Sequence, residues 1–318
     1  LNIKIRKEIY DDYKSIAEVN VLAFSSDRYI GEVALIDSLR HCAYFDSELS
    51  LVAEVDGNVI GHVLFYPFDT IVNNKVLKAV CLAPIAVHPE YQNRGVGSEL
   101  INEGHRIAKE KGYKFSFLYG HRSYYPRFGY KLGMFGDSTI KIEKPSIDTN
   151  LPNIEEREVR LDDINGLMDM FEMWYGNIDL SLKPSNSILD WISHTAMIKT
   201  SVILIAGEVQ GYLRYNVNDL TDIRMFLTKD KKSTELLVKY IANKFQNIEI
   251  IKLPMHPDSV AINLFDSFNY KIDLQRWSAG MIKILAEECK DIIEYCDQVS
   301  SEKRKPGKII FPPSYDMA

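Results

Sequence analysis

Between Ala79 and Gly112 the chain changes its hydrophobic period within a short span, and this stretch limits the possible folds more than any other. Ala79-Val80-Cys81-Leu82-Ala83-Pro84-Ile85-Ala86-Val87 is an apolar run with β-branched residues, the pattern of a buried strand. A Pro89-Glu90-Tyr91 turn leads into the glycine-punctuated segment Gln92-Asn93-Arg94-Gly95-Val96-Gly97-Ser98, and an amphipathic helix follows. In that helix Leu100, Ile101, Gly104, Ile107 and Ala108 share one face, Glu99, Asn102, Arg106, Lys109 and Glu110 lie on the other, and Gly112 is placed to end it. The first amides of a helix have no intrahelical acceptor and sit at the positive end of its dipole. The amides of about residues 93 to 98 therefore form a site for a phosphate or pyrophosphate. Gly95 and Gly97 let the backbone approach such a ligand closely.

Ahead of this stretch the pattern is a strand, a helix pair and a meander. Residues 3–6 alternate as a strand, and Asp11 or Asp12 can cap a helix with Tyr13, Ile16, Ala17, Asn20 and Phe24 near one face. A second helix spans about 29–42, with Ser25-Ser26-Asp27-Arg28 exposed between the two. Strands at 51–55 and 59–67 are joined by Asp56-Gly57-Asn58, and Asn73-Asn74 turns the chain into the central strand at 76–87. Pro84 cannot donate to a ladder, so it marks a bulge, an interruption or an edge.

Gln92-Asn93-Arg94-Gly95-Val96-Gly97, preceded by Ile85-Ala86-Val87-His88-Pro89-Glu90-Tyr91, resembles the acyl-CoA motif of the GNAT superfamily of N-acetyltransferases, Gln/Arg-x-x-Gly-x-Gly/Ala. After a further strand at 113–119, Tyr125-Pro126-Arg127-Phe128-Gly129-Tyr130 resembles that family's Tyr-x-x-Leu/Phe-Gly-Phe/Tyr signature, in the expected order. The resemblance implies an α/β mixed-sheet GNAT fold, acetyl-CoA as acyl donor without a metal, and transfer to a primary amine by direct attack. It implies donor contacts from Ile85, Ala86 and Val87 along the pantetheine arm, and from Gln92, Asn93, Arg94, Gly95, Val96, Gly97 and Ser98 around the pyrophosphate. Tyr125 is implied as the acid that protonates the leaving thiolate, and an amide near Val87 as the group that polarises the thioester carbonyl. In this family the helix junction at 25–28 borders the acceptor cleft.

The base stays open. Many family members carry a glutamate about four residues before the position of Val87, where this chain has Ala83. Histidine is a residue type suited to accepting a proton near neutral pH, which makes His88 and His121 candidates, and Glu54 and Asp69 stand at strand ends. Ordered water, or binding of the neutral fraction of the amine, serves equally. Because that glutamate is missing, a non-catalytic acyl-CoA-binding or sensing protein remains an alternative.

At 318 residues the chain exceeds one ordinary core, and the polar, proline-bearing stretch 143–153 reads as a linker. The reading is a catalytic domain at 1–148 and a diverged GNAT-like copy at 149–318. In the second half the element order repeats: a strand at 158–161, a helix from Asp162 or Asp163 through Phe171, a helical stretch at 187–197, and strands at 202–206 and 210–216. Leu236-Leu237-Val238 continues a helix, 248–253 is a strand, and Phe268-Asn269-Tyr270-Lys271-Ile272 echoes Phe128-Gly129-Tyr130-Lys131-Leu132. The second copy lacks the chemistry: its Thr228-Lys229-Asp230-Lys231-Lys232-Ser233-Thr234 turn is shorter and has no glycine, and Phe265 stands for Tyr125. This half stabilises the first, walls the acceptor cleft or dimerises. A last strand at 281–284, a helix at 287–299, a basic loop at 301–308 and an apolar end at 309–313 that packs back complete the reading. Two-copy relatives of the enhanced-intracellular-survival type add a sterol-carrier-like domain, for which these residues leave no room.

Composition narrows the class. A hydrophobic content of 46% with 26% charged residues is that of a globular chain, and a net charge of −6 gives no support to a nucleic-acid role. Cys42, Cys81, Cys289 and Cys296 follow neither zinc nor disulfide spacing and read as reduced thiols. No signal core and no apolar run near ~20 residues occurs, so the expectation is a cytoplasmic protein without a membrane partner, with homo-oligomerisation open.

Overall fold

The computed structural model describes residues 2–24, 30–148, 150–245 and 248–316. The segment 25–28, read above as exposed and bordering the acceptor cleft, lies outside the described residues. In chain order the elements are β1 (Lys4–Lys7), α1 (Tyr13–Ala23), α2 (Gly31–Arg40), β2 (Ser50–Val55), β3 (Asn58–Val72), β4 (Lys75–Val87), α3 (Val96–Glu110), β5 (Phe115–Tyr119), β6 (Lys131–Leu132) and β7 (Phe135–Glu143). They continue as β8 (Ile154–Arg157), α4 (Ile164–Tyr175), β9 (Ile198–Ile205), β10 (Glu208–Asn216), β11 (Ile223–Thr228), α5 (Lys231–Lys244), β12 (Ile250–Pro254), β13 (Tyr270–Arg276), β14 (Gly280–Ile284), α6 (Lys290–Ser300) and β15 (Gly307–Lys308). Among the described residues no helix is long and apolar enough to cross a membrane.

Two compact units emerge, and they do not follow a linear cut at 148. The first comprises the chain up to Met134 together with Trp277–Lys305; the second comprises Phe135–Arg276 with Pro306–Asp316. Strand β7, read above with the first half, belongs to the second unit, and β14 and α6, read with the second half, belong to the first.

The first unit is built on a seven-stranded sheet ordered β1-β2-β3-β4-β5-β14-β6. Its hairpins form where local chemistry demands them. Asp56 and Gly57 adopt φ of 50° and 81°, and Asn73 and Asn74 adopt 53° and 58°, the doubly positive geometry of the tight turns that suit twisted strands. Helix α3 lies on this sheet through Val96, Leu100, Ile101 and Ala108, all buried. Gly104 is required there, because a Cβ would stand 2.0 Å from the Phe65 ring. Gly112, at φ 86°, ends the helix.

The second unit has two sheets, β11-β10-β9-β8 and β12-β7-β13, with β15 along β7. It repeats the first in detail. Arg6 forks onto Asp12 at 2.6 and 2.8 Å and the Ile9 amide donates to the same carboxylate at 2.8 Å. Arg157 forks onto Asp163 at 2.7 and 2.8 Å, and the Arg160 amide donates at 2.7 Å. This clasp moves two expected boundaries. It holds 158–163 as a turn, so the strand lies at Ile154–Arg157 instead of 158–161, and the helix runs from Ile164 to Tyr175. The helical stretch expected at 187–197 is only a short turn at Ile188–Asp190. There the hydroxyls of Ser187, Ser193 and Thr195 and the Asp190 carboxylate accept from backbone amides and compete with a helix. Lys308, read as part of a basic loop, is buried with its Nζ against Asp137. The end of the chain packs on this unit, where Asp316 is buried against Arg214 and Arg224.

Candidate active site

The ladder between β4 and β5 is parallel and short, pairing Ala79, Val80 and Cys81 with Phe115, Ser116 and Phe117. Beyond Cys81 the strands part. On its other side β4 carries a bulge: Val63 faces Ile85 and Phe65 faces Leu82, so Leu64 stands opposite both Ala83 and Pro84. Pro84, which cannot donate, falls where the sequence places an interruption. The gap opens into a cleft of about 810 Å³, a size that suits an extended small molecule.

The loop after β4 supplies one wall. Gly95 is the residue before α3 and holds φ at +87°, with no side chain capping the helix. The amides of Ser98 and Glu99 turn back to the Gly95 carbonyl at 2.9 and 3.1 Å. The amides of Asn93, Arg94, Gly95, Val96 and Gly97 have no acceptor among the described residues. The two glycines act differently. A Cβ on Gly95 would meet nothing within 4 Å, whereas one on Gly97 would stand 2.9 Å from the Tyr124 hydroxyl. Gln92 secures the loop by donating from Nε2 to the Val87 carbonyl at 3.1 Å.

Ile85, Ala86, Val87, Gln92, Asn93, Gly95, Val96, Gly97, Ser98 and Tyr125 all line this cleft. Arg94 does not; its guanidinium stands 5.8 Å from the Tyr91 ring. Arg127 enters instead, 4.0 Å over the Tyr124 ring and donating from Nη2 to Ser98 Oγ at 3.4 Å.

Tyr125 begins a one-turn helix, Tyr125–Phe128, that Gly129 ends at φ 87°. Its ring packs where Gly120 leaves room, since a Cβ there would lie 2.5 Å away, and it meets Tyr130 edge-on at 5.9 Å. Burial pushes the Tyr125 phenol up to about 12. Its hydroxyl has no hydrogen-bond partner among the described residues, which leaves it available to a ligand. Tyr130 is engaged, with Ser116 Oγ at 2.7 Å and His105 Nε2 at 3.0 Å. Tyr124 also lines the cleft, because the tight turn brings both tyrosines to the same gap.

The base candidates separate. His88 lies outside the cleft lining, and its Nδ1 accepts the Glu90 amide at 3.3 Å. Glu54 is tied to Arg6 Nε at 2.8 Å, Asp69 faces Lys78 in the β3–β4 ladder, and neither lines the cleft. His121 lines it and is exposed. Sequence reading missed two residues. Glu32, in the first turn of α2, lines the cleft, but it looks like any helix-start acid. Trp277 stands 5.4 Å from the cleft residue Tyr119, carried there by a segment far along the chain, and no local signal marks it.

The equivalent gap in the second unit is filled. No ladder joins β11 to β12. Trp174 Nε1 donates to the Thr228 carbonyl at the end of β11 at 3.0 Å, and the Tyr175 hydroxyl donates to the Pro254 carbonyl at the end of β12 at 2.9 Å. Phe265 is fully buried with its ring 5.9 Å from Trp174 and 6.1 Å from Phe226. The Asp230 carboxylate caps α5 by accepting from the Ser233 amide at 2.8 Å.

Residues 5–133 match the family model of an acetyltransferase (GNAT) domain. The chain is 31% identical over 169 residues to the uncharacterized N-acetyltransferase YhbS of Escherichia coli K12, which covers 53% of this chain and 96% of that protein. It is 36% identical over 122 residues to the uncharacterized N-acetyltransferase YjhQ of the same organism, covering 38% of this chain and 65% of YjhQ, slightly less than two thirds. The crystal structure of a GCN5-related N-acetyltransferase from Kribbella flavida matches 90% of this chain and 71% of its own with a TM-score of 0.66 at 15% identity, a likeness of fold.

Proposed function

This chain belongs to the GNAT family of N-acetyltransferases, and on that premise we propose that it transfers the acetyl group of acetyl-CoA to a primary amine by direct attack in the cleft of its first unit. The observation that carries the proposal is the run of amides at 93–97, without an acceptor among the described residues, on a loop that lines the cleft at the start of α3. Such amides suit a pyrophosphate, and β4 beyond Cys81, left without its β5 partner, suits the amide groups of a pantetheine arm.

In the reaction the amine nitrogen bonds to the thioester carbonyl carbon, the carbon–sulfur bond breaks, the nitrogen loses a proton and the sulfur gains one. Tyr125 donates the proton to sulfur. A phenol held at about 12 keeps its proton at neutral pH, and the desolvation that raises it also raises the thiol that it must protonate. The proton leaving nitrogen goes to water or to His121, the imidazole that lines the cleft. The second unit acts as a diverged copy that binds no donor.

A non-catalytic acyl-CoA-binding protein is the second reading, favoured by the absence of a carboxylate at Ala83. Thiol release from acetyl-CoA over a panel of primary amines separates the two. Under the catalytic reading, Tyr125→Phe lowers kcat by about ten- to a thousandfold with donor affinity within twofold. Donor binding without thiol release on any amine would support the sensor instead.

A further inference from the structure

We infer that Glu32 selects the acceptor, which carries a second, non-reacting positive charge. This rests on the acetyl-transfer reading above and narrows its substrate class to diamines and larger amines with at least two cationic groups.

The inference comes from how charge is distributed around the cleft. Among the described lining residues the charged side chains are Glu32 and Arg127. Arg127 stands at the helix-start loop, beside Ser98 and over Tyr124, where its charge complements a phosphate. Glu32 comes from a different wall, that of α2 with Leu35, next to Ala23 and Phe24 at the end of α1. It is half-buried and has no ion-pair partner among the described residues. An anionic donor would be repelled by it. A cation in the remainder of the cleft finds in Glu32 the one carboxylate among its described lining residues.

The reacting nitrogen is a poor partner for that carboxylate. A negative charge beside an ammonium raises its pKa and holds it in the protonated form, which has no lone pair to attack with. A carboxylate that engages another ammonium of the same molecule binds and orients it without that penalty. One charge pair of this kind in a concave, partly desolvated site is worth tenfold to hundredfold in affinity.

The test uses a pair of probes matched in chain length, 1,4-diaminobutane and 1-aminobutane, with acetyl-CoA and the full chain. The wild-type protein should prefer the diamine by at least tenfold in kcat/KM, and Glu32→Gln should bring the ratio to within about threefold of unity, through KM for the diamine. Glu32→Asp should retain part of the preference, and raising salt from about 0.05 to 0.3 M should erode it only when the carboxylate is present. Calorimetry should give acetyl-CoA affinity within twofold in all three proteins. A ratio unaltered by Glu32→Gln overturns the inference and leaves acetyl transfer standing. A wild type that binds acetyl-CoA but uses neither probe also overturns it, and acetyl transfer is then decided by the wider amine panel. A loss of kcat on both probes, with the acid limb of the pH profile removed, overturns it by making Glu32 the proton acceptor. Failure to bind acetyl-CoA at all overturns the reading beneath it.

Discussion

The ends of α1 and α4 occupy equivalent places in the two units, each following the same arginine–aspartate clasp by the same number of residues. In the first unit Ala23 and Phe24 stand there and line an open cleft; in the second Trp174 and Tyr175 stand there and hydrogen-bond to the ends of both parted strands. The helix starts differ in the same sense. Five successive amides at 93–97 have no acceptor among the described residues, while Asp230 puts a carboxylate of the chain's own on the start of α5. Parting two parallel strands makes a gap that must hold something, because parted backbone left dry is costly. One unit leaves its gap open as a cleft and the other fills it with indole and phenol, so the fold is common and the cleft is not.

The comparison treats the units as two copies, and its severest test is to cut the chain where the sequence repeats. A 1–148 fragment lacks β14, which lies between β5 and β6, and the buried side chains Met281, Ile282 and Leu285. It also carries β7 without β12 or β13. We expect it not to fold, with no cooperative thermal transition and aggregation in gel filtration. Joining residues 1–134 to 277–305 through a glycine–serine linker should restore a transition. A folded 1–148 fragment would show that β14 is dispensable to the first unit.

Next in size is the plug itself. Trp174 is fully buried, and Trp174→Ala should lower stability by about 3–5 kcal/mol in urea unfolding. It should not create a second donor site, because Asp230 still caps α5 and the loop before it is short. An added equivalent of bound CoA in this variant would mean that Trp174 alone distinguishes the units.

The open loop is tested in the opposite direction. Gly95→Glu puts bulk and negative charge on the loop at the start of α3 and forces a side chain onto φ +87°. Calorimetric titration should give one CoA per wild-type chain and at least a hundredfold weaker binding in the variant, about 2.7 kcal/mol or more. A residual equivalent at the original affinity would place a donor site outside this loop.

What could be read from the residues was whatever is decided locally. Asp56-Gly57 and Asn73-Asn74 dictate their turns, Gly95 announces a helix start without a side-chain cap, and Pro84 marks the bulge, because each is settled within a few positions. The exchange of β7 and β14 could not be read. Phe135–Glu143 and Gly280–Ile284 are both ordinary alternating strands, and which sheet receives each is settled by partners more than a hundred residues away. The same holds at the site: the loop and Tyr125 lie in contiguous motifs, whereas Glu32 and Trp277 reach the cleft or its rim only through tertiary packing. In the second unit the residue that closes the helix start is Asp230, just before Lys231 and Lys232.

The smallest effect isolates that aspartate. The Asp230 carboxylate accepts the Ser233 amide at 2.8 Å, while the Thr234 hydroxyl donates back to the Asp230 carbonyl at 2.8 Å, so Asp230 is the side-chain acceptor at the start of α5. Asp230→Ala removes this acceptor and should lower stability by about 1 kcal/mol, as loss of an N-cap does. Asp230→Asn should recover most of it, since an amide oxygen can accept the same bond. CoA stoichiometry should stay at one in both, because freeing an amide supplies neither the glycine conformation nor the room that the first unit has. If Asp230→Ala instead gained a CoA equivalent that persists with Gly95→Glu, the cap alone would be keeping the second copy empty, and Trp174 and the short loop would be secondary to it.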